Sequence, residues 1–127
     1  MGVSVSAQQS ILNPDDPLVN YDAANPPSTP ANGLMAKWVR TPTLNWNTSA
    51  LKAYYYNGMA FRVLFPKSYN DSVNKKYPLL VFFHGAGEAG TIYNNELQLT
   101  HCAQKIQDSV QKGTFDAFVL FPQSVNS

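Results

Sequence analysis

The chain has 127 residues, 44% of them hydrophobic and 13% aromatic, with a net charge of +1. That apolar content suits one packed domain, or part of one, and excludes a disordered chain. The balanced charge gives no electrostatic basis for binding nucleic acid or an anionic membrane surface; the single cysteine, Cys102, excludes an internal disulfide; and no apolar run nears the ~20 residues of a membrane-spanning helix.

Residues 1–36 read as an extended Pro/Asn-rich arm, carrying Pro14, Pro17, Pro26, Pro27 and Pro30. Val5-Ser6-Ala7 has the small-residue character of a signal-peptide end, so 1–7 is a candidate remnant of one. Met1-Gly2-x-x-x-Ser6 also fits a myristoylation pattern, which no basic patch supports. Lys37 to Arg40 is a short strand candidate ended by Thr41-Pro42. Leu51–Tyr56 and Met59–Phe65 then flank Asn57-Gly58, the strongest short signal for a hairpin, because both turn residues must accept a positive φ. Trp38, Trp46 and Tyr54 to Tyr56 admit two readings, a sugar-stacking surface or ordinary packing, and alternating tyrosines on a hairpin favour packing. Asn47-Thr48-Ser49 and Asn70-Asp71-Ser72 fit the glycosylation sequon, which matters only in a eukaryotic secretory pathway.

A polar loop from Lys67 to Lys76 leads to Leu79–Phe83, a continuous apolar run opened by a proline and closed by glycines. A strand apolar on both faces predicts cover on two sides. It runs directly into His84-Gly85-Ala86-Gly87-Glu88. Glycines in such a turn let a ligand approach main-chain N–H groups, which is one way to hold an anion. Gly85-x-Gly87-x-x-Gly90 also matches the dinucleotide-binding spacing, but that fingerprint requires a helix opening inside the motif and an acid ~20 positions on. Here loop-forming Thr91 to Asn95 follows, and the next strand ends in Phe121-Pro122-Gln123.

Leu99, Cys102, Ala103, Ile106 and Val110 recur at helical spacing and predict one apolar stripe on a helix ending at Lys112, with Gly113 as its cap. The helix start is open: Asn95 is a candidate cap, and a loop through Thr100 is the other reading. On this reading Cys102 is a small buried hydrophobe. Phe115 to Phe121 is the next buried strand, and strand–helix–strand implies a parallel pair.

Phe82-Phe83-His84-Gly85-Ala86-Gly87-Glu88, with Tyr69 to Pro78, Phe118 to Gln123 and Asn95-Glu96-x-Gln98-Leu99-x-His101, resembles the oxyanion-hole region of secreted α/β-hydrolase esterases of the polyhydroxybutyrate-depolymerase and feruloyl-esterase-like group. The resemblance covers Leu51 to Gln123. It implies an α/β fold built as the N-terminal portion of an α/β-hydrolase sheet, a hairpin followed by strand–helix–strand, with 37–127 a partial domain. It also implies a serine carboxylic-ester hydrolase in which the Ala86 backbone N–H is one oxyanion donor. His84, Gly85, Gly87 and Glu88 would shape the turn, with the His84 ring bonded to nearby backbone. Such enzymes place the serine in a Gly-x-Ser-x-Gly elbow after the fifth strand, followed by the acid and the histidine. This chain holds no Gly-x-Ser-x-Gly, so by itself it is expected to be inactive. The family often carries a basic residue where Ala89 stands, which leaves Glu88 without an obvious ion-pair partner.

An ester is the implied substrate, whether a small molecule or one linked to a polysaccharide or polyester, and no cofactor or metal is expected. His84, Glu88, His101 and Cys102 lack recognised zinc spacing. Secretion to the exterior or periplasm is implied by the family. In the family's strand order the Leu79–Phe83 strand lies between the fourth and fifth strands. Without a fifth it would expose an uncharged apolar edge prone to self-association. The alternative reading is a non-catalytic binding or pseudo-enzyme module using the aromatic hairpin face.

Overall fold

A computed structural model describes residues 12–31, 33–70 and 74–125. The signal-remnant and myristoylation readings, and two residues of the second sequon, fall outside them. The architecture is mixed α/β: among the described residues one α-helix, α1 (Ala103–Gln111), packs on a five-stranded mixed sheet. Among the described residues seven strands occur in chain order: β1 (Val19–Asn20), β2 (Ala36–Lys37), β3 (Val39–Arg40), β4 (Leu51–Tyr56), β5 (Met59–Leu64), β6 (Leu79–Val81) and β7 (Phe118–Pro122). The sheet runs β2-β4-β5-β7-β6, antiparallel at every pairing except β6 with β7, which is parallel.

Local chemistry sets the turns. Asn57 and Gly58 both adopt positive φ, 47° and 88°, the requirement of a type I′ hairpin whose twist matches its strands. The helix ends as its glycine indicates. Gly113, at φ 79°, donates its N–H to the Val110 carbonyl, and Thr114 donates to Ser109. This pair of bonds is a Schellman closure that satisfies carbonyls the last turn would otherwise orphan. Gly113→Ala is expected to cost about 1 kcal/mol, because a Cβ is strained at that φ. A lowered urea midpoint with an unchanged slope would register it.

The helix start differs from the stripe expected. Leu99 belongs to a separate 3-10 turn, Leu97–Leu99, and α1 opens only at Ala103. Cys102 precedes it at φ 65° and is exposed, so it is not the buried hydrophobe that the spacing implied. A left-handed residue breaks the helical phase, and its side chain leaves the stripe. The core beneath α1 joins Leu99, Ala103 and Val110 to Leu51, Leu64, Val119 and Phe121.

The arm is docked from residue 12 onward. β1 pairs in parallel with β3. Asp16 is buried, taking a hydrogen bond from the Tyr54 hydroxyl at 2.7 Å and an ion pair from Lys37 at 2.8 Å. The strand expected over Lys37 to Arg40 divides at buried Trp38 into β2 and β3, which join different sheets.

β6 lacks the two-sided cover that its apolar run alone predicts and is the exposed edge that the family's strand order implies: Leu79 is 62% exposed and Phe83 76% exposed. Among the described residues no strand pairs with its outer edge. Hydrophobicity records a strand's capacity for cover, and the cover itself must come from other elements.

Candidate functional site at the ends of β6 and β7

β6 and β7 run parallel, so their carboxyl ends open on the same side, where ligands gather in open α/β sheets. His84, just beyond β6, links the two ends. Its Nε2 accepts the Ser124 N–H at 2.9 Å. That role requires Nε2 to be unprotonated, so Nδ1 carries the hydrogen and donates it to the Gly85 carbonyl at 2.6 Å. Gly90 N–H donates in turn to the Ser124 carbonyl at 3.0 Å. Both ring nitrogens of His84 are thus spent on backbone.

The turn itself is short. Gly85 is extended (φ −81°, ψ 175°), and Ala86–Glu88 form a single 3-10 turn. Glu88 N–H bonds to the Gly85 carbonyl at 3.2 Å and Ala89 N–H to the Ala86 carbonyl at 3.4 Å. The N–H groups of Glu88, Ala89 and Gly90 are therefore occupied, whereas those of Ala86 and Gly87 have no acceptor among the described residues and stand exposed. The glycines differ in why they are glycine. A Cβ at Gly90 would lie 2.9 Å from a Leu97 methyl and 3.1 Å from the Gln123 side chain, so packing demands its absence. A Cβ at Gly87 would meet nothing within 4 Å, and Gly87 does not adopt a positive φ. The protein's own fold does not require a glycine there.

The dinucleotide reading lacks its structural context. No α-helix opens within the glycine motif; α1 begins at Ala103, and Gln123 rather than an acid follows β7.

Glu88 finds a partner outside its own turn. His101 Nε2 lies 2.6 Å from Glu88 Oε1, tying the glycine turn to the segment before α1. A partner 13 positions away is invisible to a search for a basic neighbour. With His84 held by backbone and His101 by Glu88, neither of the chain's two histidines stands in a serine–histidine–acid relay. Among the described residues no three His, Cys, Asp or Glu side chains gather as a metal site.

What holds the loop between turn and helix is a buried polar network that sequence reading passed over. Arg62 is fully buried on the helix-facing side of β5. Its guanidinium donates to the carbonyls of Leu51 (2.6 Å), Asn95 (2.6 Å) and Thr48 (3.0 Å). Glu96, 1% exposed, accepts from the Thr48 hydroxyl, from Arg40 at 3.1 Å and from the Thr43 N–H at 2.8 Å. The Asn95 side chain donates to the Phe61 carbonyl and accepts from Gln98. Two signals pointed here: a lone arginine inside the apolar strand Met59–Phe65, and the polar run Asn95-Glu96-x-Gln98 leading into apolar Leu99.

Burial lowers the Arg62 guanidinium's pKa, and the Glu96 charge opposes that shift. For Glu96, burial alone would raise the carboxyl; the hydrogen bonds from Thr48 and Thr43 and the charge of Arg62 outweigh it and hold the group below the usual carboxylate range. A folded pKa below the unfolded one contributes stability that is fully present above the unfolded value, about 4.3, and is lost as pH falls through the lower folded value. Glu96→Gln is therefore expected to flatten the stability–pH profile in that acid window while lowering stability at neutral pH. Urea titrations of both proteins across that range measure it. An unchanged acid slope would remove Glu96 from the linkage.

Most of the aromatic side chains around the hairpin are packed inward, with Trp46 partly buried. Trp38, Tyr54 and Tyr55 are buried, Trp38 packing on Tyr55 at 4.6 Å between ring centres, and Tyr56 alone of the three consecutive tyrosines is exposed.

No family model matches the chain, and no curated protein matches it. Among solved structures it is similar to one described as "Crystal Structure of a Thermostable Esterase", at 38% identity and a TM-score of 0.37. The match covers 52% of this chain and 17% of that one, so this chain spans well under a fifth of the esterase's length.

Proposed function

We propose that this chain supplies the oxyanion-holding segment of a serine carboxylic-ester hydrolase, with the Ala86 N–H as one donor. The observation that carries the reading is the pair of unspent N–H groups at Ala86 and Gly87, beyond the carboxyl ends of parallel β6 and β7. Their neighbours' N–H groups are consumed, and the His84 clamp to Ser124 fixes the turn that presents them. A Cβ at Gly87 would meet nothing within 4 Å, so the turn is open at that residue. Preorganised donors of this kind stabilise the negative oxygen that develops when a nucleophile attacks an ester carbonyl, without reorganisation during the reaction. Further support comes from the element order: a hairpin, then β6, α1 and β7, with β7 between the hairpin and β6. That order supports reading the sheet as the N-terminal portion of an α/β-hydrolase.

On this reading the serine, acid and histidine come from outside these 127 residues, the substrate is an ester of a small molecule or of a polysaccharide or polyester, and the protein acts outside the cytoplasm. The encoding DNA beyond Ser127 provides the test. An in-frame Gly-x-Ser-x-Gly between a strand and a helix supports the reading, and an immediate stop codon leaves a module without an enzyme. The purified chain should show no turnover of a p-nitrophenyl ester; hydrolysis abolished by a serine reagent would overturn the placement of the nucleophile elsewhere.

A further inference from the structure

We propose that the N-terminal arm is a working part of the site, a latch in which Tyr21 and Tyr93 are positioning residues for the oxyanion turn, a role that presupposes the esterase reading. The loop at 91–96 leaves the glycine turn and leads to the 3-10 turn Leu97–Leu99. Its second half is held by Arg62 on the Asn95 carbonyl and by Arg40 on the Glu96 carboxylate. Its first half is held from the arm side. Trp38 Nε1 donates to the Ile92 carbonyl at 3.0 Å, and the Thr41 hydroxyl donates to the Tyr93 carbonyl at 2.6 Å. The Tyr93 ring stacks on Trp38 at 6.1 Å and on Tyr21 at 4.8 Å between ring centres, with planes 12° and 24° apart.

Tyr21 is the arm's own contribution to that grip. β1 brings it there by pairing with β3, after which the Tyr21 N–H donates to the Arg40 carbonyl at 2.6 Å. Asn20 beside it accepts from Arg40 Nε at 3.0 Å, and Asp16 pins the approach to β1 through Tyr54 and Lys37. The grip reaches the turn through Gly90. The loop folds back on that residue so closely that a Cβ there would lie 3.1 Å from the Asn94 Cβ and 2.9 Å from a Leu97 methyl. Gly90 N–H donates to the Ser124 carbonyl, and Ser124 N–H donates to His84, at the entrance to the turn that carries Ala86. Stacked aromatic pairs contribute beyond the area they bury, and a ring face needs no hydroxyl, so phenylalanine preserves the contact.

In the complete esterase, Tyr21→Ala is expected to lower kcat by about tenfold with KM unchanged, since a misplacement of ~1 Å caused far from the chemistry costs up to about 10²-fold. Tyr21→Phe should keep the parental kcat. With Ala86→Pro already in place, Tyr21→Ala should cost nothing further, because the donor it positions is gone. In the 127-residue chain, Tyr21→Ala should speed amide hydrogen exchange at Gly90 and Asn94, whose N–H groups bond to the Ser124 and Thr91 carbonyls, and leave exchange in α1 unchanged. Parental kcat in Tyr21→Ala, equal losses from phenylalanine and alanine, multiplying effects of Tyr21→Ala and Ala86→Pro, or unaltered exchange would each overturn the proposal. A raised KM at parental kcat would also overturn it, by making the rings a substrate surface. Should Ala86→Pro itself leave kcat unaltered, the oxyanion reading falls and the positioning role with it, while faster exchange in Tyr21→Ala would still show that the arm grips the loop.

Discussion

Replacing Arg62 with methionine is expected to destabilise the chain by about 3–5 kcal/mol, the range found when one member of a buried charge pair is removed. The side chain is completely buried and donates to three carbonyls on two separate segments, at Thr48 and Leu51 in the turn into β4 and at Asn95. Methionine has a similar length, so the loss is chiefly polar. Each orphaned buried carbonyl carries about 1–3 kcal/mol of unrecovered desolvation. Glu96 would also lose a guanidinium 3.9 Å away and, among the described residues, keep Arg40 as its close counter-charge. Against a typical domain stability of about 5–15 kcal/mol this is a large fraction. Arg62→Lys should fall between the two, because an ammonium keeps the charge but lacks the planar fork that spans separate acceptors. Urea unfolding of the three proteins checks the order. A methionine variant within about 1 kcal/mol of the parent would show that the network contributes little net stability, as some buried ion pairs do.

In the esterase that the proposed function requires, Ala86→Pro is expected to lower kcat by about 10²–10³-fold with little change in KM, because a donor to the transition-state oxygen is removed. The substitution is unusually clean. Proline deletes the N–H, and the Ala86 N–H makes no bond within the described residues. Gly85 is already extended, the conformation a residue before proline must adopt. Ala86 opens a helical turn, where proline is tolerated. The thermal midpoint of the 127-residue chain should therefore stay within about 0.5 kcal/mol equivalent of the parent, which separates a lost donor from a damaged fold. Unchanged kcat in the Ala86→Pro enzyme would remove the donor role.

The two outcomes bear on different parts of one arrangement. Arg62, Glu96 and Asn95 anchor the loop between the glycine turn and α1, while His84 anchors the turn to β7 through Ser124. Glu88 and His101 join the turn to the segment that leads into the helix. Loss of the Arg62 anchor should therefore raise amide hydrogen exchange in the loop before α1, as a local opening.

By itself the sequence determined the features whose causes are local. Asn57-Gly58 predicted a hairpin because only a few residues accept two successive positive φ values. Gly113 marked the helix end for the same steric reason, and the His-Gly-x-Gly turn stood out because glycine after a strong strand has few other uses. Tertiary structure decided how far each apolar run is covered. Periodicity alone makes Leu79–Phe83 a core strand, and it lies at an edge, as the family's strand order implied, since cover depends on neighbours that periodicity does not record. It decided, too, that Cys102 is exposed, that Trp38, Tyr54 and Tyr55 are packed away, and that Arg62 and Glu96 share a buried network. The network's contacts join residues up to 56 positions apart, as Arg62 with Asn95 at 33 and Arg40 with Glu96 at 56. No spacing rule along the chain encodes them, because a charge is admitted to the interior only where several distant segments supply its partners together.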